Sequence, residues 1–475
     1  MMQASNKTSF DLVIAGAGPA GMAAAAAATA RGLSVAIVDE NLGLGGQIFR
    51  NVAISGVLEP RILGKDYYSG AGLVAEVAQS GATHFAQSTI WMIERQGEAE
   101  DLSVGIQRDG RAEVLLAKSI LIATGALERP FPIKGWTLPG VLTAGAAQTM
   151  LKASGVVPAG KVVLAGTGPL LYLLAAQFVR ASVHVAAVLD TTPRSNWLRA
   201  FRHFPSFLIS PYFRKGIGLL AEVQRSTKVV RNVSSLEAEG SGQLRSIRYT
   251  ASDGPQELEV DTLLLHQGVA PHVNLAMAAG CKHFWSEERL AFEPQLDHAF
   301  RTNIRGISIA GDGGGIGGAL AAEISGRVAA LHIVEDLSMA PSAELASSIS
   351  KLKHELHSAL RGRRFIDALY RPLDAFRMPG DDGVICRCEE VAAGAVRDAA
   401  KQGAQGPNVA KTFLRTGMGP CQGRLCGLTV TELMARQLGK SPEEVGYFHI
   451  RNPVKPISLG AIAAMKGENE TKRLF

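Results

Sequence analysis

Charged residues make up only 19% of this 475-residue chain, aromatic residues 6%, and there are five cysteines. Apolar residues reach 47%, so the chain has material for folded cores, whereas a disordered chain would be more polar and more charged. A net charge of +6 over this length is dilute, and no Lys/Arg block is present, so nucleic acid is not an expected partner. Long hydrophobic runs are also missing. The most apolar helix signal, Pro19 to Ala30, is twelve residues long, and a membrane span needs about 20. The opening MMQASNKTSF has no apolar stretch of the kind a secretory leader carries. The expectation is a soluble, cytoplasmic chain of about three domains, in which structural disulfides are not expected. No cysteine precedes Cys281, which argues against a redox-active disulfide and hence against a disulfide reductase mechanism. P-loop, H-E-x-x-H and G-x-S-x-G motifs are absent as well.

Glycine, by contrast, is abundant at 52 residues, and much of it punctuates apolar runs. Phe10 to Ala15 reads as a buried strand that meets Gly16-Ala-Gly18-Pro-Ala-Gly21 and then an alanine-rich helix. Leu33 to Asp39 is a second strand, followed by a glycine-rich loop to Asn51. Residues 82–122 alternate as in a small antiparallel sheet and end in Ser119 to Gly125 as another strand and turn. The grammar then restarts with Lys161 to Ala165, Gly166-Thr-Gly168, a helix, and Val183 to Asp190. The repeat predicts an α/β fold with two Rossmann-like dinucleotide-binding units, the first split in sequence by the second. The expected division is 1–125 and 271–336 for the first unit, 126–270 for the inserted one, 337–380 as a linker helix, and 381–475 as a small helical domain. Residues 316–335 read as a helix and 336–348 as a linker.

The first motif combines a strand, G-x-G-x-x-G, a helix, and an acid 23 residues after the first glycine. Gly16 permits the tight turn, Gly18 lets backbone approach a pyrophosphate, and Gly21 lets helix pack on strand. The helix N-terminus favours phosphate, and Asp39 is placed to accept ribose hydroxyls. Ala310-Gly311-Asp312 follows the second unit, where a carboxylate at a strand end suits the ribityl hydroxyls of a flavin; capping its own turn is the plainer role. In the second motif Leu171 replaces the third small residue while Asp190 is suitably placed. The spacing accommodates a working NAD(P) site and a packing relic equally.

Four cysteines cluster near the end as Cys386-x-Cys388, 32 residues, and Cys421-x4-Cys426. Four thiolates suit an iron–sulfur cluster or zinc. Zinc knuckles use wider C-x2–4-C spacing, which favours the cluster. Helix-forming sequence after each pair, Glu389 to Lys401 and Leu428 to Leu438, and glycines at 417, 419, 423 and 427 suit an anionic group. Cys281 reads as core packing. His266, His272 and His283 are not spaced like metal ligands. Residues 194–215 gather Trp197, Phe201, Phe204, Phe207, Tyr212 and Phe213 among arginines. An ordinary helix burying its aromatics is the favoured reading, with a partner surface or peripheral membrane contact as alternatives.

The stretches GAGPAGMAAA, GLGGQIFR, ATGALERPFPIKGWTLPGVLTAGAAQ, GTGPLLYLLAAQ, LLLHQGVAPHVNLA, AGDGGGIGGALAA, VICRCEEV, GMGPCQGRLCG and RNPVKPISLGAIA run almost end to end. Through them the chain resembles the α (A) subunits of heteromeric flavin-dependent amino-acid and opine dehydrogenases. That group includes the opine oxidase, hydrogen cyanide synthase and D-hydroxyproline dehydrogenase subunits of this layout. The C-terminal part is similar to the bacterioferritin-associated ferredoxin-type 2Fe-2S domain, with C-x4-C where that domain has C-x2-C. The resemblance implies a glutathione-reductase-like fold with FAD, although some relatives hold another adenine nucleotide in the first site. It implies cofactor contacts at Gly16, Gly18, Pro19, Ala20, Gly21, Asp39, Glu40, Gly46, Gln47, Ala123, Thr124, Gly125, Gly311, Asp312, Gly318 and Ala319. It implies a 2Fe-2S cluster at Cys386, Cys388, Cys421 and Cys426. It also implies a β partner of the D-amino-acid-oxidase type that oxidises the amine, an FMN at the interface between subunits, and room for one further small subunit. A flavin takes two electrons and releases them singly, and a cluster carries one, so such a chain would transfer electrons onward. A self-contained NAD(P)H-dependent reductase and a non-catalytic scaffold are the competing readings. No catalytic acid or base is identified.

Overall fold

The computed structural model describes residues 8–54, 59–95, 101–338 and 342–465. The first apolar run forms the strand Ser9–Ala15, flanked in parallel by Val35–Val38 and Arg111–Ile122. The full sheet has seven strands. Thr83–Phe85 extends one edge, Leu102–Arg108 and Thr89–Arg95 continue the other as an antiparallel meander, and Ile307–Ile309 pairs with Arg111–Ile122. Parallel strands covered on both faces need uninterrupted apolar sequence, and Leu12, Val13, Ile14 and Ala15 are all buried.

A second sheet runs Lys228–Arg231, Val185–Asp190, Val162–Thr167, Thr262–Gln267, Val141–Thr143, every pair parallel. A three-stranded antiparallel sheet, Ser235–Glu239, Ser246–Ala251 and Gly254–Glu259, packs beside it. The chain leaves the first sheet after Ile122 and rejoins it at Ile307, so the second unit is an insertion. The two crossings run side by side, because Ala126–Glu128 pairs antiparallel with Val269–Pro271.

Alanine and glycine set the spacing of the first unit. The helices Pro19–Thr29 and Ala319–Ser338 cross so closely that a Cβ on Gly326 would lie 2.1 Å from the carbonyl oxygen of Ala20. Only glycine tolerates that approach. The linker expected over 336–348 is mostly helix. Ala319–Ser338 runs three residues past the expected end, and Ala343–Ala359 follows, started by the Ser342 hydroxyl accepting from the Leu345 amide. Between them, residues 339–341 lie outside the described set.

Residues 384–463 fold as a hairpin, Val384–Cys386 with Val391–Ala392, three helices, Ala393–Lys401, Pro407–Leu414 and Gly427–Leu438, and two short ones, Pro442–Val445 and Leu459–Ala463. This module has no separate core. Cys386, Ala393, Cys426, Val430 and Leu433 join Phe10, Val13, Ile120 and Cys281 in one cluster against the far face of the first sheet. Trp136 of the inserted unit reaches it as well, donating its indole N–H to the carbonyl of Val384 at 2.6 Å. The aromatic stretch divides in two. Phe207 stacks on Phe365 with centroids 4.2 Å apart, while Trp197, Leu198, Phe201 and Ile209 stay exposed. The favoured burial reading therefore holds in part: Phe204, Phe207, Tyr212 and Phe213 are half-buried, whereas Trp197 and Phe201 are not. Among the described residues no helix is long and apolar enough to cross a membrane.

Candidate nucleotide and redox site

At the first glycine motif, each glycine has a distinct reason. A Cβ on Gly21 would fall 1.9 Å from the carbonyl oxygen of Gly16, and one on Gly16 would fall 2.6 Å from that of Ala123. These positions serve packing. A Cβ on Gly18 would meet no atom within 4 Å, so this glycine faces open space at the N-terminus of the helix Pro19–Thr29. Gly46, at φ 57°, comes back against it, and its Cβ would lie 2.7 Å from the Gly18 Cα. The 40–51 loop thus closes over the turn, pinned by the Gly45 amide donating to the carbonyl of Ala17 at 2.9 Å. Asp39 ends its strand with Oδ2 accepting from the Ala17 amide at 2.6 Å and Oδ1 accepting from Asn41. Glu40 is paired with Lys455 of the C-terminal segment.

Of the remaining expected positions, Gly311 packs against the helix Pro19–Thr29, where its Cβ would lie 2.8 Å from that of Ala20. The Ala123 amide donates to the carbonyl of Ala15, Thr124 lies against the backbone of His272, and Gly125 turns at φ 69°. Asp312 sits ahead of the helix starting at Ala319, and its Oδ1 accepts from the Gly317 and Gly318 amides at 2.8 and 3.0 Å. One carboxylate oxygen therefore performs the capping role. Gln47 lies under the inserted unit, where Arg50, Thr149 and Lys152 contact it.

Lys152 carries no functional signal in the sequence. It is buried, and its ammonium donates to the carbonyl of Gln47 at 3.3 Å and to Gln148 Oε1 at 3.0 Å. Burial, with the Arg50 charge adding to it, pushes its pKa down to about 7.

The second glycine motif is built differently. The Tyr172 phenol donates to Asp190 Oδ2 at 2.5 Å, the Thr192 amide donates to Oδ1 at 2.8 Å, and both side chains of the pair are buried. Burial first, and then the Asp190 charge, pushes the Tyr172 pKa far up, so the phenol keeps its proton. A Cβ on Gly168 would lie 3.3 Å from the imidazole Nε2 of His266, itself buried and held by Glu128 at 2.6 Å. Leu171 is wholly buried. Here the acid at the strand end carries a tyrosine from its own helix, and an imidazole backs the space that is open at Gly18. Tyr172 is the residue next to Leu171, so the clue was adjacent to the one the sequence offered.

The four late cysteines come together. Cys386 and Cys426 are buried, and Cys388 and Cys421 are half-buried. Cys386 contacts Cys426, and Cys388 contacts Cys421. The Cys426 hydrogen bond, together with amides of Glu389, Gly417 and Cys388, brings the Cys386 thiol down to about 6 despite burial. Its partner Cys426 is pushed up by that pairing and by burial. Among the described residues no three His, Cys, Asp or Glu side chains converge on a single ion position. The sulfurs lie as two pairs, each meeting backbone amides, and that donor set fits an anionic binuclear group better than one tetrahedral ion. Cys426 precedes the helix Gly427–Leu438 directly, whereas the helix after Cys388 begins only at Ala393. Of the four glycines, Gly417 offers its amide to sulfur, and Gly419 lets the chain pass Cys388, where a Cβ would be 2.3 Å from the cysteine's own. Gly423 and Gly427 instead make room for the rings of Phe448 and Tyr447.

Sequence reasoning also missed the junction between the two regions. The His272 amide donates to the carbonyl of Gly125 at 3.0 Å. Arg424 Nε donates to His272 Nε2 at 3.0 Å, and its other nitrogens donate to the carbonyls of Cys421 and Val454. Arg424 stands inside GPCQGRLCG, between the cysteines, but nothing local distinguishes it from a solvated arginine.

A split first unit, an inserted second unit and an open glycine turn define the class. Residues 10–326 match the pyridine nucleotide-disulphide oxidoreductase family, and the chain belongs to that family of flavin-dependent oxidoreductases. Within it the chain groups with the A-type subunits of opine oxidases. It is 46% identical over 460 residues to that of Agrobacterium tumefaciens (strain Ach5), covering 96% of this chain and 91% of the relative. It is 45% identical to that of Rhizobium meliloti, covering 96% and 88%. Residues 383–466 match the sarcosine oxidase A3 domain. The fold is shared with L-proline dehydrogenase from P. horikoshii, at a TM-score of 0.71 and 21% identity, covering 96% of this chain and 80% of that structure.

Proposed function

We propose that this chain is the electron-transferring α subunit of a heteromeric flavin oxidoreductase acting on amino acids, with an opine or another secondary amino acid as substrate. The observation that carries the reading is the near end-to-end likeness to the A-type subunits of opine oxidases, cysteine module included. Substrate oxidation falls to a β subunit of the D-amino-acid-oxidase type. An FMN at the boundary between subunits and one further small subunit belong to the same reading. The first site holds FAD, with Gly18 leaving room for the pyrophosphate, the helix end at Pro19 facing it, and Asp39 available to the ribose. Glu40, Gly46, Gln47 and the Ala123–Gly125 and Gly311–Ala319 turns frame that site. Cys386, Cys388, Cys421 and Cys426 hold a 2Fe-2S cluster. Bound there, flavin and cluster supply the change from two-electron to one-electron chemistry. The protein's own work is to hold, enclose and electrostatically tune these groups.

The NAD(P)H-dependent alternative is not favoured, because Tyr172 and His266 occupy the surroundings of the second motif. Electrons then enter from the partner. The test is anaerobic reduction by octopine or nopaline of the chain alone and of the chain co-expressed with its β subunit. Reduction only in the complex is expected. Reduction of the isolated chain by the opine would place substrate oxidation here instead.

A further inference from the structure

We propose that Arg424 is the fixed counter-charge of the four-cysteine module and raises its one-electron midpoint potential, with His272 as the group that holds it in position. This rests on the cluster reading above. Among the described residues the three side-chain hydrogen bonds of Arg424 go to His272 Nε2, the Cys421 carbonyl and the Val454 carbonyl, none of them to a carboxylate. The acid whose charge acts on it, Glu40, is already paired with Lys455. Arg424 also lines a cavity of about 20 Å³ together with Arg129, Asn274, Tyr447 and Glu128, whose carboxylate is already engaged by the Gly145 amide and His266 Nδ1. Arg129 is a second buried guanidinium, and among the described residues its hydrogen bonds go to the carbonyls of Leu290 and Arg289.

Half-buried positive charge without a carboxylate partner is costly unless an anion completes the site. The anion at hand is the thiolate module whose Cys421 carbonyl Arg424 grips. Reduction adds one negative charge there, and a nearby cation in a low-dielectric setting favours it. His272 suits its part because it accepts rather than competes. Burial and the charges of Arg424 and Lys455 bring its pKa down to about 3, so Nε2 is unprotonated at neutral pH. Its backbone is fixed in turn by Gly125 of the first site.

The test is a redox titration of the purified full chain followed by electron paramagnetic resonance, with iron and sulfide assayed in parallel. Arg424→Gln should retain iron and lower the midpoint by at least a tenfold change in the reduction equilibrium, about 59 mV for one electron. Arg424→Lys should keep most of the wild-type value. Should Arg424→Gln fail to assemble, His272→Leu, which frees the guanidinium, should lower the potential while iron stays bound. An unchanged potential in an iron-replete Arg424→Gln protein overturns the inference and leaves the cluster reading intact. So does Arg424→Lys falling as far as Arg424→Gln. Zinc in place of iron in the wild-type chain would overturn both.

Discussion

The side-chain amide of Asn274 donates to the backbone carbonyl of Gln422 over 2.9 Å, and Asn274 is almost fully buried. One hydrogen bond thereby fastens the loop between Cys421 and Cys426 to the helix Asn274–Ala278, just beyond the strand Val269–Pro271. Asn274→Ala should lower unfolding stability by about 1–2 kcal/mol, the cost of leaving a half-buried carbonyl unpaired. Limited proteolysis should then cut the cysteine module before the first sheet. Equal protection of both in the variant would show that the bond carries no coupling.

The glycines of the first motif separate binding from folding. Gly18→Val adds a side chain to open space and should yield a folded protein that has lost its flavin absorbance. Gly21→Ala forces a Cβ to within 1.9 Å of a carbonyl oxygen and should compromise folding itself. Circular dichroism melts and cofactor content, measured together, distinguish the two. Flavin retained in Gly18→Val would mean that the cofactor sits elsewhere.

Cys421→Ser should remove iron and its absorbance while leaving flavin bound, because the first site shares no side chain with Cys421. Iron assay with the visible spectrum reads this directly, and an unchanged iron content would contradict the ligand set.

Lys152 gives a pH signature. Its pKa of about 7 in the folded protein lies below the ordinary lysine value. Between pH 7 and 10 the unfolded chain holds a proton that the folded chain has released, so stability rises with pH across this window and the penalty is complete below it. The effect is on the order of a few kcal/mol. The thermal midpoint of the wild type should climb relative to Lys152→Met from pH 7 to 10. Parallel curves would show that Lys152 is not desolvated.

Local grammar made the architecture legible. Apolar runs ending in glycine form the parallel strands at the centre of both large sheets, and the restart at Lys161 marks the inserted unit. Positions whose role depends on a distant partner were hidden. Gly326 looks like any helical glycine until Ala20 packs on it, and Gly423 and Gly427 look like cluster glycines until the rings of Phe448 and Tyr447 fill their places. Lys152, His272 and Arg424 act across units that are more than a hundred residues apart in sequence. The aromatic stretch from Trp197 to Phe213 does not reveal its split in sequence, because periodicity does not locate Phe365, on which Phe207 stacks while Phe201 stays exposed.

In the proposed function electrons reach this chain from a partner and not from a nicotinamide nucleotide. An anaerobic absorption titration of the purified chain, first with NADH and then with dithionite, tests it most directly. The expected result is a flavin and cluster spectrum that NADH leaves unchanged and dithionite bleaches, because Tyr172 engages Asp190 and His266 backs Gly168. Near-stoichiometric bleaching of the flavin by NADH would contradict it and make the chain a reductase in its own right.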